Sequence, residues 1–430
     1  MTGLPVPRAG AGAGCQDHTV QRLHPAFRAR RPAAAALPLV FLAACGIASS
    51  SQAGGTSPAS ASAAGHAAHL SSSAPAAMSR SARATAEVRP SRARHTATAA
   101  PGSAAPPAAP ATPAAPGTTV PGAPGCPMLP ADNVWNTDIS QLPVNPHSAA
   151  WMRSMDSAST NLHPDFGPNG GGYPFGIPYT IVTNSHPLVR IAFSERPESD
   201  KGPYPFGPDT RIEGGKNAGD DRHAIMVNAQ TCTLYELFDA RYSARRSTAG
   251  SGAIWHLRSN RLRPAGWTSA DAAGLPILPG LLNFQQVRRA VRAGTPITHA
   301  IRFTADRTRT SFIWPARHEA GSSGSSSLPP MGARFRLKAS FPVARFCANS
   351  APDCKDAKAI LTEMQHYGLI LADNGSNWFF QGTAQPRWPD ALISLLKRIP
   401  ARSFEAIDES CLRVSRNSGR ASAKSGCPIG

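Results

Sequence analysis

The chain has 430 residues, a formal net charge of +18, 42 prolines and 37 glycines. Residues 1–125 consist mainly of Ala, Pro, Ser, Thr and Gly. Such residues bury too little apolar surface to offset the conformational entropy lost on folding, so we expect only residues 126–430 to fold. Residues 126–430 carry +10 of this net charge, which favours anionic partners. Because the sequence contains no helix-turn-helix, zinc-finger or ribonucleoprotein spacing, we expect no nucleic-acid partner.

An export signal precedes the predicted spacer. A basic segment around Arg28, Arg30 and Arg31 is followed by a short apolar run, residues 32–41, and then by Leu42-Ala43-Ala44-Cys45. The last four residues resemble the lipobox of bacterial lipoproteins, and this resemblance implies that Cys45 is diacylated and anchors the protein to a membrane. The alternative is an ordinary secretory signal in which Cys45 has no role.

The chain then divides into three further regions. We expect residues 46–125 to form a disordered Ala/Pro/Ser-rich stalk, flexible at first and more extended where proline accumulates. Residues 126–411 are expected to form the folded extracytoplasmic domain, and residues 412–430 a flexible basic tail. The predicted location is therefore the cell envelope or the secreted fraction.

The cysteines of the folded part agree with an oxidising compartment. Cys347 and Cys354 bracket a short polar loop, which favours a local disulfide. Cys126 could pair with Cys411 or Cys427 and so join the ends of the domain, but six cysteines allow fifteen connectivities and the spacing leaves these open. No Cys-x-x-Cys pair is present, so we predict no metal site.

The folded part contains many short apolar or alternating segments separated by Gly, Pro and Asn clusters, which is typical of β-strands. Strands are predicted, in chain order, at 179–183, 189–193, 223–227, 233–238, 253–257, 298–304, 310–314, 334–339, 369–372, 378–381 and 404–407. Helical spacing of apolar residues predicts helices at 283–292, 355–367 and 389–397.

This pattern predicts a mainly β fold, a β-sandwich or jelly-roll-like domain with a few helical insertions after a disordered N-terminal region. A division into two subdomains near Gly321–Ser327 is the alternative. From Ala131-Asp132-Asn133-Val134-Trp135 onward the domain resembles secreted bacterial proteins without an assigned function, through segments that include Asp221-Arg222-His223 and Trp314-Pro315-Ala316-Arg317-His318. The resemblance implies no mechanism, so the chemistry has to be inferred from the residues.

Five residues are candidate acid/base groups. Glu236 and His299 lie on apolar faces of predicted strands, where burial would shift their pKa, although a paired core residue has the same pattern. His223 enters a strand from a polar loop in which Asp220 and Asp221 give only a weak metal-ligand pattern. His318 follows Trp314 and Arg317, and Asp373 lies in a turn, where a purely structural aspartate is equally expected.

Four residues are candidate substrate contacts. Trp314 and Trp378 could stack on a sugar ring, although both could equally belong to the core. Arg302 and Arg317 could orient a substrate. If their strands are neighbours, Arg302, Arg334, Arg336 and Lys338 would form a basic stripe suited to an acidic glycan, or else a solvated outer face.

The sequence therefore predicts an envelope-anchored protein that acts on polysaccharide, as a glycoside hydrolase or a polysaccharide lyase. The alternative is a non-catalytic glycan-binding or structural lipoprotein. Expected partners are a polysaccharide or cell-wall polymer and, through the lipid, a membrane. No serine-hydrolase elbow, phosphate loop or dinucleotide fingerprint is present, and no cofactor is expected.

Overall fold

The computed structural model describes residues 119–168, 173–219, 221–348, 351–422 and 427. The predicted signal with Cys45, and the predicted stalk up to residue 118, lie outside the described residues. All described residues belong to one compact unit, Ser103–Gly430, which is not divided near Gly321–Ser327. Within these ranges, no helix is both long and apolar enough to cross a bilayer.

The described residues form fourteen strands: β1 Thr119–Val120, β2 Ala123–Pro127, β3 His163–Asp165, β4 Tyr179–Val182, β5 Ile191–Phe193, β6 Ala224–Asn228, β7 Thr233–Phe238, β8 Ser247–Ala249, β9 Ser251–His256, β10 Ile301–Ala305, β11 Arg334–Leu337, β12 Leu369–Asn374, β13 Phe379–Gln381 and β14 Phe404–Ile407. They also form four α-helices: α1 Ser148–Ser154, α2 Phe284–Ala293, α3 Pro352–His366 and α4 Asp390–Leu396.

Two sheets carry most of the described structure. The larger has six strands in the order β14-β11-β12-β10-β13-β3, and the smaller has four in the order β4-β6-β7-β9. Both sheets are mixed, because β10 pairs with β12 in parallel and with β13 antiparallel, while β6 pairs with β4 in parallel and with β7 antiparallel. The parallel neighbours β10 and β12 are separated in the chain by a long segment that contains β11 and α3, as a parallel pair requires.

A single large hydrophobic core contains side chains from both sheets, among them Val227 of β6 and Phe303 of β10. Every residue of β6 and of β10 is buried, as expected for central strands covered on both faces. A second, smaller core around Tyr204 and Met226 covers the other side of the four-stranded sheet.

The mainly β fold with helical insertions is confirmed. Alternation located most strands within a few residues, and β7 and β14 have the predicted bounds. The prediction of a strand at 310–314 is wrong: this segment makes only an isolated bridge at Phe312. The segment is too short in alternating apolar and polar residues to pair with a neighbouring strand over several positions.

Helix α2 shows how local sequence sets an element. The Asn283 side chain accepts hydrogen bonds from the backbone N–H groups of Gln285 and Gln286, and so caps the first turn. The helix ends at Gly294, whose φ of 63° is left-handed, a conformation that glycine adopts without the steric penalty of a side chain.

Three disulfides are present in the described part of the chain. The predicted bridge Cys347–Cys354 is formed. Cys126 pairs with neither Cys411 nor Cys427, because Cys126 bonds Cys232 and the other two cysteines bond each other. The partner of Cys126 lies in the turn between β6 and β7, and this proximity arises only in the folded chain. Such disulfides are typical of an oxidising compartment.

Both ends of the domain differ from the predicted boundaries. Strand β1 lies before residue 126 and pairs with β2, so the folded part includes residues upstream of the predicted start. The prediction of a flexible tail from residue 412 is wrong for residues 412–422. Leu412 is fully buried, Arg413 forms a bridge with Ala421, and the Ser418 carbonyl accepts a hydrogen bond from the Trp314 indole.

Candidate active site

Asp373 and Arg302 face the same side of the six-stranded sheet because the pairing of β10 with β12 is irregular. The register pairs Arg302 with Ile370 and Thr304 with Asp373, so two steps along β10 correspond to three steps along β12. Arg302 and Thr304 share a face, since side chains alternate along a strand. The extra residue of β12 therefore moves Asp373 onto the face of Arg302, as a β-bulge does.

A loop between β9 and α2 brings Asp271 to the same place. The Asp271 backbone N–H donates to the Ser269 hydroxyl at 2.9 Å, which closes a tight turn. The Ala273 N–H donates to the carbonyl of Ala372 at 2.8 Å and ties this loop to β12. Asp271 is thereby held against Arg302, although the two residues lie far apart in the chain.

Arg302 binds both aspartates. Its Nε and Nη2 donate to the two carboxylate oxygens of Asp271 at 3.1 and 2.7 Å, and Nη2 also lies 3.4 Å from Asp373 Oδ2. Arg302 and Asp271 are buried, whereas 24% of the Asp373 side chain is exposed. Burial opposes the charge of Arg302, but the charges of Asp271 and Asp373 raise its pKa above the ordinary value. The guanidinium is therefore a permanent cation beneath an accessible carboxyl group.

His223 and Glu213 form a second pair. His223 Nδ1 lies 2.6 Å from Glu213 Oε2, and Nε2 lies 3.0 Å from the carbonyl oxygen of Ala270. Both ring nitrogens face acceptors, so both carry a proton and the ring is an imidazolium. Burial disfavours this charge, but Glu213 outweighs it and raises the pKa of His223 to about 9.

Asp165 approaches the same region from the sheet edge. β3 and β13 pair in parallel with Asp165 opposite Gln381, and the Gln381 amide nitrogen lies 3.4 Å from Asp165 Oδ2. Burial and the charge of Glu213 raise the pKa of Asp165, while the Gln381 amide and Arg302 oppose this rise. The Gln381 side-chain oxygen is buried and accepts no hydrogen bond from the described residues.

We call this set the acidic centre; it comprises four carboxyl groups and two cations, namely Asp165, Glu213, Asp271, Asp373, His223 and Arg302. Asp221 is exposed and adds its negative charge to the surroundings of His223 and Asp165. The centre is therefore acceptor-rich and negative.

Two accessible carboxyl groups of the acidic centre differ in protonation. Burial and the charge of Asp271 raise the pKa of Asp373 well above its usual range, against the opposing effect of Arg302. Burial acts in the same sense on Glu213, but His223 outweighs it and lowers the pKa of Glu213. Each side chain is 24% exposed. Of the two, Asp373 therefore holds a proton more readily, and Glu213 is the more readily ionised acceptor.

One chain segment next to parts of the acidic centre carries two exposed aromatic side chains. Tyr173 and Phe175 are each 54% exposed. The Tyr173 ring covers Gly215, where a Cβ would come within 2.6 Å of the ring, and this glycine follows Glu213 closely in the chain. The Phe175 carbonyl accepts a hydrogen bond from Gly167, just after Asp165. The Tyr173 ring thus lies on the turn that follows Glu213, and the Phe175 backbone is joined to the segment that follows Asp165.

Glu236, a predicted catalytic residue, is a structural group. Its side chain is completely buried and accepts hydrogen bonds from the N–H groups of Ile277 and Leu278 and from the Trp255 indole. Burial raises the pKa of Glu236 to about 7 in spite of these bonds. The structure therefore places Glu236 away from the accessible carboxyl groups, in a position without solvent access.

His299 lies outside the acidic centre as well. It is buried beside Gln286 of α2 and Glu363 of α3, with its Nε2 at 3.3 Å from the Gln286 amide oxygen and 3.6 Å from Glu363. Burial lowers the pKa of His299. Like Glu236, His299 is buried, and the structure does not bring it together with the other predicted acid/base residues.

His318 lies beside the loop that contains Asp271, but its ring contacts a backbone carbonyl of that loop and not the Asp271 side chain. Its Nδ1 is 2.9 Å from the carbonyl oxygen of Ala272, and its Nε2 is 3.8 Å from Glu198 Oε2. Within the described ranges, no hydrogen bond or ion pair joins His318 to a member of the acidic centre, so the structure does not bring it together with His223 and Asp373.

The other predicted substrate contacts are structural. Trp378 is fully buried and donates from its indole to the Met155 carbonyl at 2.8 Å. Arg317 is buried and donates to the carbonyls of Arg263 and Arg416. Trp314, 9% exposed, lies against the C-terminal segment. None of the three offers the free surface that stacking or substrate binding needs.

The predicted basic stripe is not formed. Arg302 is neutralised by Asp271, Arg334 pairs with Glu409 at 3.1 Å, and Arg336 pairs with Glu405 at 2.9 Å. Strand β12 also separates the strands of Arg302 and Arg334. Buried cations require partners, so these arginines stabilise the interior and do not attract an acidic glycan.

Among the predicted site residues, the structure brings together His223, Arg302 and Asp373. Asp220 lies outside the described residues, and these residues contain no His, Cys, Asp or Glu group arranged to hold a metal ion. No family model, curated protein or solved structure matches the chain.

Sequence reasoning missed Glu213, Asp271 and Asp165. Asp271 belongs to a polar loop without periodicity, and Glu213 lies in a turn-rich segment before β6. Of the candidate residues predicted from the sequence, Asp221 and His223 were the ones that pointed to a polar site in this part of the chain. Their convergence depends on tertiary contacts.

Proposed function

We propose that this domain hydrolyses glycosidic bonds, with Asp373 as the general acid and Glu213 as the base or nucleophile. The observation that carries this proposal is that two partly exposed carboxyl groups each lie against a buried cation, Asp373 against Arg302 and Glu213 against His223, and that the charge of each cation also acts on the other carboxyl group. Glycosidases of both stereochemical classes use such a pair of carboxyl groups, one protonated and one ionised.

Each member of the acidic centre has a role in this reaction. Asp373 protonates the leaving oxygen, and Asp271 favours its protonated form by charge repulsion. Glu213 stays ionised beside His223 and activates a water molecule or attacks the sugar. Arg302 fixes the position of Asp373 relative to the sheet. Holding two carboxyl groups in different states by their surroundings is how one site performs acid and base chemistry.

The charge of the acidic centre favours hydrolysis over lyase chemistry. A lyase that abstracts a proton beside a uronate must neutralise the substrate carboxylate. Arg302 is already bound by two aspartates, and His223 by Glu213. The surplus of carboxyl groups, two of them partly exposed, suits a substrate rich in hydroxyl or amino donors. We therefore propose a neutral or amino-bearing glycan as the substrate.

The exposed rings support a sugar as the bound group. Tyr173 and Phe175 offer exposed aromatic surface on a segment that contacts Gly215, after Glu213, and Gly167, after Asp165, and sugar rings present one apolar face to aromatic side chains. For the cellular setting, we propose that diacylation at Cys45 anchors the protein and that residues 46–118 separate the domain from the membrane. Three disulfides in the described residues support an extracytoplasmic location.

The test uses the purified full chain with neutral, amino-bearing and uronate polysaccharides. Reducing ends and the absorbance of unsaturated uronates are measured separately. We expect new reducing ends from a neutral or amino-bearing glycan, and a rate lower by about 10²- to 10⁴-fold in Asp373→Asn and in Glu213→Gln.

The control is Asp390→Asn, which removes an exposed carboxylate on α4 and should leave the rate unchanged. Unaltered activity in both site variants, or unsaturated products from uronates, would contradict the proposal. Retention of the wild-type chain on insoluble glycan without any cleavage would instead indicate a binding protein.

A further inference from the structure

Helix α2 carries a basic face that points away from the core. Arg288, Arg289 and Arg292 repeat at helical spacing on one side, whereas Val287 and Ala290 on the other side are buried. Together with Arg387, which follows β13, these arginines line a groove of about 410 Å³. Phe284 and Gln285 complete the lining, so the groove has no acidic wall among the described residues.

Arg288 is held in place from below. Its Nη1 lies 2.9 Å from each carboxylate oxygen of Asp356, a buried residue of α3. Only Nη1 takes part in this pair, so Nε and Nη2 remain for another partner. A guanidinium fixed in this way loses little conformational entropy when it binds an anion.

The other three arginines of the groove, Arg289, Arg292 and Arg387, are exposed. No carboxylate of the described residues lies within ion-pair distance of them, although the charge of Arg292 reaches Asp356. Like charges three or four residues apart destabilise a helix by a few tenths of a kcal/mol each. The clustered arginines thus slightly lower the stability of α2 by mutual repulsion, and a bound anion would remove this repulsion.

We propose that the α2 groove binds a phosphate-bearing polymer. The planar guanidinium fork matches the oxygens of a phosphate group, and side chains three or four positions apart on a helix lie about 5–6 Å from one another. Several arginines can therefore engage successive phosphates of one chain. The proposal does not depend on glycosidase activity, because the groove shares no residue with the acidic centre.

Binding is measured with the full chain by titration against long-chain polyphosphate, with inorganic phosphate, polygalacturonate and anionic phospholipid vesicles as comparisons. We expect polyphosphate to bind most tightly, with an affinity that falls as salt is added. Arg289→Gln/Arg292→Gln should weaken polyphosphate binding by about 30-fold, on the order expected for two cations near an anionic partner.

The matched control is Arg245→Gln/Arg246→Gln, which removes two exposed arginines from a loop elsewhere and should leave affinity within about twofold. Thermal unfolding of each variant verifies folding. Equal losses in both double variants would overturn the proposal, since net charge alone would then explain binding. Tighter binding to polygalacturonate or to vesicles than to polyphosphate would overturn it too.

Discussion

Arg302 is buried between Asp271 and Asp373, and its two partners differ in exposure. Asp271 has no access to solvent, whereas Asp373 reaches the surface. The arginine therefore compensates a buried negative charge on one side and positions an accessible carboxyl group on the other. Because Arg302 both compensates Asp271 and positions Asp373, its replacement is expected to affect the stability of the domain as well as the proposed reaction.

Replacing Arg302 with Gln should destabilise the domain by about 3–5 kcal/mol, because Asp271 would remain buried without a cation. Urea unfolding measures this difference. The control is Arg307→Gln, an exposed residue just after β10, for which we expect a change within about 0.5 kcal/mol. Similar stability of the two variants would show that the Arg302 contacts contribute little.

The His223–Glu213 pair predicts a dependence of stability on pH. The pKa of His223 is about 9 in the folded protein and 6.5 in a model compound, so folding favours the protonated ring. The stabilisation is complete below pH 6.5 and is lost as the pH rises through about 9. The opposite holds for Glu213, whose lowered pKa contributes stability that is lost in acid.

We expect His223→Gln to be less stable than the wild type by about 2–3 kcal/mol at pH 6, with a gap that narrows as the pH approaches 10. Urea unfolding across this range tests the expectation. Comparing the difference between the two proteins removes the contributions of Glu236 and Glu409, which titrate near pH 7 in both. A gap independent of pH would exclude an imidazolium at this position.

At the scale of elements, irregular connections decide the geometry of the acidic centre. The bulge in β12 turns Asp373 toward Arg302, and the loop of Asp271 is tied to β12 by the bond from Ala273. The disulfide Cys126–Cys232 similarly joins β2 to the turn between β6 and β7. These are contacts between elements that are distant in the chain.

The disulfides should differ in their contribution to stability. Cys126 and Cys232 are 106 residues apart, whereas Cys347 and Cys354 are 7 apart. Closing a longer loop removes more entropy from the unfolded chain. Replacing the first pair with alanine should therefore lower the free energy of unfolding by about 2 kcal/mol more than replacing the second. Chemical denaturation of both double variants measures this, and an equal loss would contradict the entropic account.

On the scale of the whole molecule, the C-terminal segment completes the fold. Leu412 is fully buried, Ser418 accepts from the Trp314 indole, and the Arg416 carbonyl accepts from Arg317. These interactions satisfy donors that would otherwise be buried without partners. The segment therefore belongs to the domain, although its composition resembles that of a linker.

Ending the chain at residue 411 should lower the free energy of unfolding by at least about 4 kcal/mol, since a buried leucine and two hydrogen-bond acceptors are lost. The variant Cys411→Ala/Cys427→Ala is the matched control, because truncation also removes that disulfide. Thermal and urea unfolding compare the two proteins. If they are equally stable, the contribution comes from the disulfide and not from packing of residues 412–422.

The sequence by itself determined the features that depend on local spacing. Alternation located β7 and β14, helical spacing located α2, and seven residues of separation identified Cys347–Cys354. Each of these needs information from one short segment only, because backbone geometry imposes a period of about 2 on strands and 3.6 on helices.

Only the tertiary structure decided which polar residues meet. It placed Glu213 against His223 and buried Glu236, which accepts hydrogen bonds from backbone N–H groups. It also paired the arginines of the expected basic stripe with carboxylates. A bulge that shifts one register, or a loop that returns to a distant strand, leaves no periodic trace in the sequence. The acidic centre therefore follows from long-range packing, whereas the strands and helices that support it follow from local pattern.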